Sequence, residues 1–177
     1  MTPARGGHNE RIKMNYQKTL KLSPLGEFRV MTLREGVPSE SLCDTGEKVE
    51  KYWRENILTN PQFSWETQEV FATIMVSTRQ RIIGHNVVSC GILDRILVHP
   101  RDVFRPAIVA AAAAIILGHY HPSGDPTPSE DDIRVTRELI RAGQLLKIEV
   151  LDHVIIGRPT AEQPRGYKSM RELGFFY

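Results

Sequence analysis

His119-Tyr120-His121-Pro122-Ser123-Gly124-Asp125-Pro126-Thr127-Pro128-Ser129-Glu130-Asp131-Asp132 is the stretch from which the rest of the chain is best read. Two histidines two residues apart, ahead of a loop rich in Pro and Gly over residues 122–128, read as the end of a short strand over residues 115–121. Alternate side chains of a strand share a face, so both imidazoles point one way and Tyr120 the other. The end of the loop carries a helix start, with Thr127 as N-cap, Pro128 at the first helical position and Glu130 completing a Thr-x-x-Glu box. That helix is expected to run to about Leu146. At about 100° per residue, Ile133, Thr136, Leu139, Ile140, Gly143 and Leu146 gather on one side. Ser129 and Asp132 project with them, whereas Glu130 and Asp131 face solvent. A carboxylate facing a core is costly unless it is paired or binds a metal, so Asp132 needs a partner and Asp131 does not. The short loop lets His119, His121 and Asp132 converge. Two neutral nitrogens and one carboxylate form a known ligand set for catalytic zinc, which keeps a fourth position for water.

Working outward, Val70, Ala72, Ile74 and Val76 alternate with Glu69, Phe71, Thr73 and Met75 as a strand requires. A turn at residues 77–80 and a second strand over residues 81–89 complete a hairpin. The Ala-rich stretch that ends at Leu117 favours helix, because Ala has the best helix propensity. Pro106 moves the regular part of that helix toward Arg105, with the proline in its first turn, although a start at Asp102 stays open. Downstream, residues 148–156 read as a strand ended by Gly157. Upstream, residues 28–33 read as a short strand, followed by a helix from about Thr45 to Asn56, capped by Asp44 or Thr45, with Val49, Tyr52 and Trp53 inward. Helices and strands alternating around one sheet give an α/β or α+β class.

The pattern His119-x-His121, seven residues, Ser129, two residues, Asp132 resembles the JAMM (JAB/MPN) metalloprotease signature. The wider run through Ser129 looks like the RadC-like branch, and the resemblance extends from about Glu69 to Gly157, with Val98-His99-Pro100-Arg101 and Leu151-Asp152-His153 included. It implies a sheet flanked by helices, similar to cytidine deaminase, and a zinc ion held by His119, His121 and Asp132. It also implies a glutamate general base, matched by Glu69 with Glu66 as the second candidate, and a serine, Ser129, that hydrogen-bonds the oxyanion. The expected reaction is hydrolysis of a peptide or isopeptide-like amide, with a peptide or protein as substrate. Tyr120 stands where longer RadC-like proteins have Asn, and the chain is expected to lack their helix-hairpin-helix-like N-terminal domain. His99 and His153 are expected to make structural hydrogen bonds and Asp125 to form a turn, while Asp152 is a candidate to orient a ligand histidine.

Bulk properties narrow the alternatives. The chain's 177 residues divide into an expected flexible leader (1–13), a segment packing on the core (14–66) and a metallohydrolase core (67–177), with 14–66 and the core possible as one domain. A formal charge of +2 is too small for nucleic-acid binding by bulk electrostatics. The resemblance to RadC-like proteins, with its association with DNA repair, still implies an alternative function, a DNA-associated module in DNA repair or processing, which salt-sensitive DNA binding through the basic ends would favour; a metal-bearing interaction scaffold is a third. Cys43 and Cys90 lie far apart, so neither a disulfide framework nor a cysteine-spaced zinc site is expected, and a reducing cytosol suits the chain. The longest apolar run, residues 107–117, is well short of the roughly 20 residues that span a bilayer, so no membrane partner is expected.

Overall fold

The computed structural model describes residues 41–61, 64, 67–92 and 98–176. The strand expected over residues 28–33, the leader and Glu66 lie outside the described residues. In chain order the elements are α1 (Gly46–Asn56), β1 (Gln68–Val76), β2 (Ile82–Ile92), α2 (Pro100–Val109), β3 (Ala114–Tyr120), α3 (Glu130–Leu146), β4 (Glu149–Ile156) and β5 (Tyr167–Ser169). Among the described residues the strands form one sheet in the order β2-β1-β3-β4-β5. This is the mixed α/β arrangement of a sheet flanked by helices. No helix among the described residues is long and apolar enough to cross a membrane.

The hairpin β1–β2 is antiparallel, as is β1–β3, whereas β3 and β4 run parallel. Parallel neighbours need a crossover, and α3 supplies it. Because β1, β3 and β4 lie inside the sheet, both of their faces are covered. Val70, Ala72, Ile74, Ile116, Tyr120 and Val154 pack with Trp53 on the α1 side. Phe71, Met75, Ile115 and Leu117 pack with Phe104 and Leu139 on the side of α2 and α3. Tyr120 therefore faces away from the histidine side, in accord with strand alternation. Close approach on the α1 side depends on Gly118, where a Cβ would lie 2.1 Å from Cζ3 of the fully buried Trp53.

Two expectations are corrected in the region before β3. The helix begins at Pro100, and Pro106 sits inside it rather than in its first turn. The alanine run does not extend it: the chain leaves the helix at Ala110, Ala111 takes φ 50°, and β3 begins at Ala114. The ending is a left-handed cap in which Ala112 N–H donates to Ala107 O at 2.9 Å and Ala111 N–H to Ile108 O at 3.1 Å. Propensity loses here because Ala114 to Tyr120 fill a slot between two strands and pair with β1 on one side and β4 on the other. Ala113 N–H already donates to Val76 O at 3.0 Å, which starts that pairing.

The start of α3 also shifts. Its N-cap is Ser129, whose Oγ accepts from Asp132 N–H at 3.2 Å, while Ser129 N–H donates to Asp132 Oδ2 at 2.7 Å. Thr127 is not the cap, because its N–H and hydroxyl are taken by Asp125 Oδ1 at 2.9 and 2.7 Å in a local Asp turn. Glu130 is accordingly the first helical residue and not the partner in the box. The buried face of α3 holds Asp132, Ile133, Thr136, Leu139 and Gly143, but Leu146 at its end is exposed. The strand β5, which pairs Lys168 with Ile155, was not among the expected elements.

Candidate metal centre

β3 brings the two histidines to the start of the loop, and its register sets their neighbours. His119 pairs with Phe71 of β1 on one side and with Ile155 of β4 on the other. His121 continues past the strand end, its N–H donating to Ile156 O at 2.9 Å. The rings meet edge to face, with centroids 4.6 Å apart. Asp132, in the first turn of α3, closes the third side. His119 Nδ1 lies 2.8 Å from Asp132 Oδ1, and His121 Nε2 lies 3.5 Å from Asp132 Oδ2. Glu69, at the start of β1, comes near the other ring nitrogen, with Oε2 4.0 Å from His119 Nε2.

Burial makes this arrangement demanding. His119 and Asp132 are each 6% exposed, and both ring nitrogens of His119 lack a hydrogen-bond partner. The 2.8 Å contact to Asp132 is thus close without hydrogen-bond alignment. A ring nitrogen and a carboxylate oxygen are brought together in a buried place without being paired. An imidazole buried with neither nitrogen satisfied costs on the order of 1–3 kcal/mol per group, and a cation at the convergence point would satisfy it. The residues therefore fit a metal, and the mixed nitrogen and oxygen set suits zinc. Glu69, His119 and His121 also form a group whose ligand atoms lie within 4.8 Å of one another. The carboxylate of that group is Glu69, whereas Asp132 meets the same histidines through its 2.8 and 3.5 Å contacts.

The surroundings prepare each group. His121 Nδ1 lies 2.8 Å from the carbonyl of Asp125, so its N–H donates there and the lone pair of Nε2 is left for the site. Burial lowers the readiness of His121 to protonate, but Asp132 and the Asp125 carbonyl outweigh it and raise its pKa. Burial likewise works against the charge on Asp132, yet His119, His121 and the Ser129 hydroxyl hold its carboxyl far below the usual range. Ser129 Oγ donates to Asp132 Oδ2 at 2.6 Å. The expected oxyanion donor is therefore engaged with the carboxylate and caps the helix that carries it.

Other expectations fall differently. Asp152 does not orient a ligand histidine: it points toward the chain's end, where Oδ2 accepts from Ser169 Oγ at 2.6 Å and Oδ1 from Arg171 N–H at 3.1 Å. Neighbouring strand residues face opposite ways, so Asp152 cannot share the side that His153 occupies. His153 is fully buried, with Nδ1 2.6 Å from Thr136 Oγ1, and burial pushes its pKa down to about 3. His99 is an exposed N-cap residue of α2 whose side chain makes no cap hydrogen bond. Asp125 forms its expected turn and in addition supplies the carbonyl to His121. A backbone carbonyl has no signature in sequence, so that role could not be read there, whereas Thr136 was at least placed on the buried face.

A sheet between helices, with one histidine on an inner strand and a second just past its end, a carboxylate in the first turn of the crossover helix and a second carboxylate on the neighbouring strand, defines the class. The family model described as RadC-like JAB domain matches residues 45–175, and the chain belongs to that family. A UPF0758 protein of Thermotoga maritima is 43% identical over 140 residues, which is 79% of this chain and 56% of that protein. One from Moorella thermoacetica is 56% identical over 90 residues, 51% of this chain and 39% of the relative, and one from Methanosarcina barkeri is 42% identical over 118 residues, 67% and 49% respectively. The chain thus spans between 39% and 56% of the length of these curated relatives.

Proposed function

We propose that this chain is a zinc-dependent hydrolase of the JAMM type, cleaving a peptide or isopeptide-like amide in a cytoplasmic setting. The observation that carries the reading is the convergence of Asp132 on a buried His119 whose ring nitrogens have no hydrogen-bond partner, with Glu69 near the other ring nitrogen. His119, His121 and Asp132 would hold the metal. When bound, zinc supplies a Lewis acid and brings the pKa of water toward about 7.

The chain's own residues do the rest. Glu69 is about one-quarter exposed at its side chain, so it meets both the site and solvent. Its carboxylate takes a proton from the attacking water at Oε2 and returns it to the leaving amine, the two transfers of general base and general acid. Ser129 turns its hydroxyl from Asp132 Oδ2 toward the oxyanion as charge develops there. The Asp132 carboxylate keeps its hydrogen bond from Ser129 N–H through that exchange. Asp125 holds His121 with Nε2 toward the site throughout.

Purification without chelator is expected to yield one zinc per chain. A chain that carries no zinc and takes up none overturns the site. Glu69→Gln is expected to keep its zinc while hydrolysis of an amide substrate falls at least about 100-fold, the lower end for a positioned acid/base group. Glu66→Gln run beside it separates the two glutamates: loss of turnover in that variant alone moves the role to Glu66. Loss of zinc in Glu69→Gln would instead make Glu69 a ligand.

A further inference from the structure

His153 is a fully buried imidazole with only one of its nitrogens satisfied. Nδ1 lies 2.6 Å from Thr136 Oγ1, and Nε2 has no hydrogen-bond partner. Its ring lies nearly parallel to that of His119, with centroids 6.1 Å apart and 13° between the planes, and meets Phe71 edge-on at 5.5 Å. A Leu or Phe would fill this space without an unpaired nitrogen, which costs about 1–3 kcal/mol when buried. Packing alone therefore gives no reason for an imidazole.

The neighbouring hydroxyl supplies one. Thr136 Oγ1 also lies 2.6 Å from the carbonyl of Asp132, one turn earlier in α3, and 3.3 Å from Met170 Sδ. A carbonyl only accepts, so the single hydroxyl proton of Thr136 goes to Asp132 O. The 2.6 Å contact with His153 then requires the imidazole to donate. This sets His153 as the Nδ1–H tautomer, at the head of a directed chain from His153 Nδ1–H to Thr136 Oγ1 and from Thr136 O–H to Asp132 O. β4 thereby grips the first turn of α3 at the residue whose carboxylate reaches the histidines. The same ring lies flat beside His119.

We propose that His153 is a positioning residue that, through Thr136, holds Asp132 against His119 so that the metal donors meet. The role rests on the zinc reading above, and the tests keep the two apart. In metal-free protein, imidazole nitrogen NMR of His153 is expected to show the Nδ1–H tautomer; Nε2–H overturns the relay whatever the protein binds. Zinc affinity of the folded protein, measured by chelator competition, is expected to fall about 10–100-fold in Thr136→Val, the usual effect of removing a group that orients a ligand. Thr136→Ser, which keeps the hydroxyl, is expected to bind as wild type does. His153→Asn, which keeps a side-chain N–H near the Nδ1 position, should retain more affinity than His153→Leu.

A merely structural role would lower thermal stability and leave the affinity of the folded protein unchanged, and that result overturns the proposal. If Thr136→Val does not fold, the Asn and Leu variants decide the question with the tautomer. Failure of wild type to bind zinc has its own signature: it removes the metal reading, and this role with it, even with the Nδ1–H tautomer in place.

Discussion

Asp131 and Asp132 are adjacent carboxylates with opposite fates. Asp131 is exposed and paired with Arg134 at 2.8 Å, an exposed ion pair worth little. Asp132 is buried between two histidines. Asp132→Asn is expected to weaken zinc binding at least about 10-fold, since removing a ligand should cost no less than removing a group that orients one, and Asp131→Asn to leave it unchanged, by the same chelator titration. Equal losses would show that the helical face has been misassigned. The two cysteines divide in a similar way. Burial pushes the Cys43 thiol up to about 12, so it stays protonated through the neutral range, and it is 1% exposed. Cys90 is exposed. Because the thiolate is the nucleophile, a brief alkylation of native protein near pH 8 should label Cys90 alone and label both in denaturant, as mass spectrometry would read. Labelling of native Cys43 would mean that its surroundings open.

Elements show how much of this was legible beforehand. The period of two in a strand was enough to put His119 and His121 together and Tyr120 apart, and the period of α3 was enough to turn Asp132 inward. Both signals are local, so they survive without tertiary information. The alanine run misleads because propensity cannot see that β1 and β4 leave a slot for β3. Thr127 misleads because Asp125 claims its hydroxyl first, a choice between two local hydrogen bonds that spacing does not decide. Nor can any local pattern show that Trp53 packs over Gly118. That contact yields a prediction for β3: Gly118→Ala puts a methyl group into the indole and is expected to cost about 1–3 kcal/mol, as overpacking does. Denaturant unfolding measures it. The cost should shrink when the indole is trimmed by Trp53→Phe, and the same cost in both backgrounds would mean that another neighbour resists the methyl.

Among the described residues the candidate metal ligands gather where the layers meet: β3 and the residue after it carry the histidines, α3 carries Asp132, β1 brings Glu69, and β4 places His153 beside His119. Metal bound there ties the crossover helix to two strands, so the site and the fold are thermodynamically linked. Anything that binds the native state alone stabilises it by RT ln(1 + [L]/Kd), about 2.7 kcal/mol when free ligand is 100 times Kd. For a domain of this size each kcal/mol moves Tm by about 2–4 °C, so chelation should lower Tm by roughly 5–11 °C relative to zinc at 100 Kd. The sign is set by the site itself. Without a cation His119 is buried with both nitrogens unpartnered, so under the zinc reading the metal-free protein is expected to be the less stable form. Asp132→Asn separates this linkage from a general salt effect. It should lose most of the zinc-dependent rise in Tm, because its affinity falls below the same zinc concentration, while Asp131→Asn keeps the rise in full. A rise in Tm with zinc that is equal in all three proteins would place the stabilising ion elsewhere on the chain.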